Sequence, residues 1–278
     1  MAACSVPGGW DGMVGKPTHF VIFGEVHGTV ESPTLFGETA CALAERGERL
    51  LVAVELGDND GLQRAWSVSP VRFPTALRAE MPEWATRDDG VASQAMFTML
   101  VRLHTLKASG HAIDVVAFNG TEALEKTRFA DLPGQGPHEA GQAENIRAVD
   151  ARQLYTRVLV LVGNYHARKR PIAPGGVSYQ PMAMRLADPG NIVSLHLVQS
   201  GGSSWGCQLK GAPPLGSTVL TSDMIQCSAH QLHADGDWRG PPRIVRAREA
   251  SGSDPKGAYD AELFIGAAKA SAPVGLRP

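Results

Sequence analysis

A continuous apolar run that leads into Gly-x-x-His occurs twice in this chain. Phe20-Val21-Ile22-Phe23 leads into Gly24-Glu25-Val26-His27, and Leu159-Val160-Leu161-Val162 leads into Gly163-Asn164-Tyr165-His166. Unbroken rather than alternating hydrophobicity marks strands covered on both faces, as in a parallel sheet between helices. Ligands of such sheets bind at the carboxyl edge of the strands. A glycine there lets the chain turn off the strand end, and the histidine three residues on stands above that edge.

Further runs fit the same sheet: Leu50 to Val54, Ile113 to Phe118, Ile192 to Val198 and Ala261 to Ile265. Helical patterns lie between them. Ser32-Pro33 reads as N-cap and first residue of a helix closed by Gly47, and Gln94 to Ala108 and Glu139 to Leu154 give two more. The expected fold is therefore α/β, with a mainly parallel central sheet flanked by helices. We read residues 1–278 as one domain, with a core over about 18–200, a small helical cap over about 58–89 and a loop-rich part over 200–278.

Charge narrows the partners. With 26 Lys plus Arg against 28 Asp plus Glu, the net charge is −2, which lacks the basic footprint of a nucleic-acid binder. No apolar run reaches the roughly 20 residues of a membrane span. A small-molecule or peptide substrate is the expected partner, and a homodimer is compatible with the chain.

The four cysteines form no CxxC pair. Cys207 and Cys227 flank a Gly/Pro-rich stretch, and either a disulfide closing it or two free thiols fits. Ala2-Ala3-Cys4-Ser5 resembles the surroundings of a bacterial lipoprotein cleavage site. Both features lean toward a periplasmic protein or a membrane-anchored lipoprotein with its signal removed, with the cytoplasm as the alternative.

Glu55 follows the second strand and reaches the rim on which both histidines stand. Two imidazoles and a carboxylate suit a divalent metal with an open position for water. They equally suit a metal-free site in which a histidine activates water and a carboxylate orients it.

Taken in order, Gly24-Glu25-Val26-His27-Gly28, Glu55, Glu144-Asn145-Ile146 and Val162-Gly163-Asn164-Tyr165-His166-Ala167 resemble the erythromycin esterase-like/ChaN/Tiki superfamily. Its ChaN-like bacterial branch is the nearest likeness. The resemblance runs from about Thr18 to Pro273 and includes Asp89-Gly90 and the closing Tyr259 to Ile265. It implies an α/β fold with a pocket of strand-end Glu and His residues, and Glu25, His27, Glu55 and His166 take the site positions. It also implies one of three activities: metal-dependent peptide cleavage, metal-independent ester hydrolysis, or haem or iron binding.

Two departures stand out. Val91 follows Asp89-Gly90 where relatives carry arginine, and His138-Glu139 replaces an Arg-Asp pair. Both remove a cation able to stabilise an oxyanion, and Arg87 and Arg147 are the nearby substitutes. We therefore expect a hydrolase of peptide or ester bonds. In it His27, Glu55 and His166 hold a metal (Mn, Co, Zn or Fe), Glu25 is the general base, and Arg87 assists. The alternative is a haem- or iron-binding protein without turnover, with His138 and Tyr165 as further ligands.

Competing motifs carry less. Gly202-Ser203-Ser204-Trp205-Gly206 matches a nucleophile elbow, but Cys207 to Pro214 does not read as the helix an elbow must open. Cys227, His230, His233, Asp235 and Asp237 fit no standard zinc spacing.

Overall fold

In a computed structural model, which describes residues 4–15, 18–211, 224–246 and 257–275, the apolar runs form one sheet. Its strands are β1 (Phe20–Glu25), β2 (Leu50–Val54), β3 (Ile113–Ala117), β4 (Arg157–Gly163), β5 (Ile192–Leu209), β6 (Ile225–Ala234), β7 (Arg243–Arg246) and β8 (Ala261–Ala268). They are ordered β3-β2-β4-β1-β5-β8-β7, with β6 paired to β5. The six strands from β3 to β8 along this order run parallel, and β6 and β7 pair antiparallel.

Helices cover both faces. They are α1 (Trp10–Met13), α2 (Glu31–Glu45), α3 (Asn59–Trp66), α4 (Phe73–Glu80), α5 (Glu83–Thr86), α6 (Gln94–Ala108), α7 (Glu122–Lys126), α8 (Gly136–Asp150) and α9 (Met182–Leu186). Strand alternation divides the core. Val21, Phe23, Val52 and Leu161 face the larger layer under α2 and α6, whereas Ile22, Leu51, Val160 and Val162 face the layer that includes Ile146 of α8 and Met182 of α9. Each such side chain contributes about 1.5–3 kcal/mol on burial, which is why both strand faces stay apolar.

The fold class matches the sequence reading, and three details differ. The cap is less a lid than part of the main core: Trp66, Phe73, Leu77 and Trp84 are fully or almost fully buried in it. The region beyond Gln199 is not loop-dominated, since β5 continues to Leu209 and β6, β7 and β8 follow. The Ala261 run is the expected strand β8, whereas β6 and β7 escaped the sequence reading because they are half-exposed edge strands, with no unbroken apolar run to announce them. Most of the Gly/Pro-rich stretch between the two cysteines lies outside the described residues.

The third difference concerns cysteine. Cys207 pairs with Cys227 across β5 and β6, and Cys4 pairs with Cys41 of α2. Cys4, the cysteine of the Ala2-Ala3-Cys4-Ser5 run, is thus paired within the chain. No helix among the described residues is long and apolar enough to cross a membrane.

Candidate active site

β1, β2 and β4 are neighbours, so their carboxyl ends bring the predicted residues onto one rim. The glycines of the repeat serve close approach rather than a turn. Gly24 and Gly163 lie within strands at ordinary φ, while a Cβ on Gly24 would fall 2.7 Å from Ala167 Cβ and one on Gly163 2.9 Å from His27 Nε2. The turn belongs to Gly28, whose φ is +74°.

Glu55 is the centre of the arrangement. One carboxylate oxygen lies 3.2 Å from His27 Nε2 and accepts the Gly163 amide at 2.8 Å, and the other lies 3.7 Å from His166 Nε2. Each imidazole is held from behind. His27 Nδ1 is 3.0 Å from Glu25 Oε1, and His166 Nδ1 is 2.9 Å from Glu139 Oε1. Glu25, Glu55 and Glu139 are all buried, and Glu25 Oε2 has no partner among the described residues.

Burying three carboxylates without cations costs several kcal/mol apiece, which drives protons onto the imidazoles. Burial is the largest single influence on His27 and opposes its charge, but the Glu55 charge and the bonds to Glu25 and Glu55 outweigh it. They hold His27 well above the usual imidazole range. Burial likewise opposes ionisation of Glu55, and His27 with its bond, aided by His166 and the Gly163 amide, holds the carboxyl well below the usual range. His166 is raised too, since Glu139 and Glu55 outweigh its burial.

The cavity above this rim has a volume of about 660 Å³. Arg87, Asp89 and Val91 form one wall, Tyr165 another, and Ser204 to Cys207 of β5 a third. Arg87 is bound to Asp89 at 2.7 Å and faces Glu83 at 3.6 Å, so it stands at the cavity as a fixed cation. Trp205 closes the rim by donating its indole N–H to the Asp88 carbonyl at 2.9 Å and its amide to Gly28 at 2.8 Å.

The remaining candidates lie elsewhere. Arg147 is absent from the cavity lining and bonds Glu144 and the Arg185 carbonyl instead. His138 stands behind His166, 5.9 Å between ring centroids. Its Nδ1 faces Glu125 and Thr121 and its Nε2 faces Gln142, and it is absent from the cavity lining. Ser203 and Ser204 sit within β5 rather than at a strand-to-helix turn, which removes the nucleophile elbow. Cys227 is in a disulfide, and His230 bonds the Gly206 carbonyl.

Among the described residues, Cys4, Cys41 and Glu45 are the one set of three metal-type side chains whose ligand atoms all lie within 4.8 Å of one another. His27, Glu55 and His166 are spread more widely than that. As placed, Glu55 stands 3.2 Å from His27 Nε2 and 3.7 Å from His166 Nε2, a set more open than a closed coordination shell.

Glu139 is the functional neighbour that sequence reasoning missed. Its signal was its place on the inward face of α8 with Ala140, Ala143 and Ile146, where an unpaired carboxylate would be costly.

No protein-family model and no curated protein matches the sequence. Solved structures do. A Bacillus cereus protein superimposes with a TM-score of 0.61 at 12% identity, over 95% of this chain and 91% of that one. A mutant of the erythromycin esterase EreC in its open conformation gives 0.59 at 12%, over 94% and 93%. The chain has an erythromycin esterase-like fold. A succinoglycan biosynthesis protein shares it, with a TM-score of 0.62 at 11% identity over 94% of this chain and 90% of that one. At such identities the erythromycin esterase-like likeness is one of architecture, and the chemistry has to be argued from the site.

Proposed function

We propose that this chain is a hydrolase of ester bonds, with peptide bonds as the related alternative, and that it activates water with histidine and carboxylate. One observation carries the reading. Both imidazoles turn Nε2 toward Glu55 at the cavity floor, while buried glutamates hold both Nδ1 atoms. The erythromycin esterase among the structural neighbours favours the ester.

In this scheme Glu55 orients a water molecule beside His27. Once His27 has shed its resting proton, Nε2 takes a proton from the water as the oxygen attacks the substrate carbonyl. His27 then returns that proton to the leaving oxygen, releasing a carboxylic acid and an alcohol. Glu25 keeps the ring upright and compensates its charge, a role behind the histidine rather than at the water. Arg87 is the cation available to the developing oxyanion.

The test is turnover of a panel of carboxylic esters and peptides before and after exhaustive chelation. We expect ester hydrolysis that survives chelation and falls by about 10²–10⁴-fold in His27→Asn and Glu55→Gln. Activity lost to the chelator and restored by one divalent ion would replace this reading with the metal-dependent one. A panel left untouched, together with a Soret band on haem titration that disappears in Tyr165→Phe, would replace hydrolysis with haem binding.

We further propose an oxidising, extracytoplasmic setting, supported by the two disulfides.

A further inference from the structure

Helix α9 is only five residues long, and α8 holds it at both ends. At its start the Met182 amide donates to Glu139 Oε2 at 2.6 Å, and the next amide, of Ala183, donates to the His166 carbonyl at 3.0 Å. At its end the Arg185 carbonyl accepts from Arg147 Nη1 at 2.9 Å, and Glu144 fixes that guanidinium at 2.6 Å. Met182, Ala183 and Leu186 are buried, so α9 cannot slide without opening the layer beneath the sheet.

His166 is gripped twice by this assembly. Its main chain is held by α9 directly, and its side chain is held by the carboxylate that also anchors α9. Both partners of Glu139, the Met182 amide and the imidazole Nδ1–H, are donors. Only a carboxylate offers two acceptors to such a pair, because a glutamine amide would turn a donor toward one of them.

We infer that Glu139 is the positioning residue of His166, and that Arg147 is a second, remote one that acts by fixing the far end of α9. Arg147 thus does not replace a missing oxyanion cation. It splints the helix on which a cavity histidine depends. The kinetic consequence rests on the hydrolytic reading above, whereas the orientation of the ring does not.

The experiment uses the full chain with ¹⁵N-labelled histidine, and the His166 ring signals are assigned by their loss in His166→Gln. In the unmodified protein we expect a slowly exchanging Nδ1 proton on His166. In Glu139→Gln and Glu139→Ala that proton should exchange into solvent and be lost, and Arg147→Ala should speed its exchange. On the best ester substrate, Glu139→Ala should lower kcat about 10²-fold and Arg147→Ala about tenfold, with KM little changed. A protected Nδ1 proton persisting in Glu139→Gln and Arg147→Ala overturns the inference, whatever the enzyme turns over. Lost protection with full kcat in either variant overturns the catalytic use of the position. Should Glu139→Ala fail to fold, Arg147→Ala, at a half-exposed site, decides alone.

Discussion

The amide of Gly163 donates to Glu55 Oε2 at 2.8 Å, so the residue that ends β4 aims the carboxylate that follows β2. That oxygen also faces His27 Nε2 at 3.2 Å. The central acid is thus fixed by a backbone group that no substitution other than proline removes.

Glu55→Gln should cost on the order of 3 kcal/mol of stability, because it leaves a buried imidazolium short of its partner. The cost depends on pH in a defined sense. Glu55 is held below its ordinary 4.5, so its contribution is present above that value and fades as pH falls further. His27 is held above 6.5, so its contribution is complete below that value and is lost as pH rises through the raised pKa. Denaturant titrations should therefore show the largest gap between the two proteins between pH 4.5 and 6.5.

The rate has the opposite dependence on His27. A base must be unprotonated, so ester turnover should climb with pH through the raised His27 pKa, above the ordinary imidazole range. Glu25→Gln weakens the hold on Nδ1, and its climb should begin at lower pH. A profile already flat from pH 6.5 upward would remove His27 as the base.

Gly28→Ala should lower the melting temperature and the activity together. Its φ of +74° disfavours any Cβ, and a Cβ there would fall 2.0 Å from the Trp205 carbonyl oxygen. Relief requires moving the β5 segment that walls the cavity, so the substitution should cost more than the about 1 kcal/mol of backbone strain alone. Thermal unfolding and ester kinetics of the same preparation check it.

The folded chain should offer no reactive thiol, since all four cysteines are paired. Replacing Cys4 and Cys41 together by serine should cost about 2–4 kcal/mol in a denaturant titration. Replacing Cys207 and Cys227 together should show in KM, because Cys207 lines the cavity.

Much of this site was legible because it depends on strand ends. Glu25, His27, Glu55 and His166 each lie at or within a few residues of the carboxyl end of a parallel strand, and adjacency of β1, β2 and β4 brings them together. Glu139 was not legible as a site residue because its role depends on how α8 docks against β4, which its own pattern does not encode. Arg147 was misjudged for the same reason: closeness in sequence suggested the cavity, and the helix turns it to α9. The β6 strand went unseen because its polar, half-exposed face carries no signal of a paired partner.

Gly163 has a consequence for how other chains are read. A Cβ at this position would meet His27 Nε2 at 2.9 Å, the His166 ring at 3.5 Å and Glu55 Oε2 at 3.6 Å, the three groups that surround the cavity floor. The working volume is therefore a vacancy written into the sequence as a single hydrogen. A chain that keeps both histidines and the glutamate but has gained a methyl group here would retain the reagents without the room for them to meet. This one position is thus a sharper filter for shared chemistry than the histidines themselves.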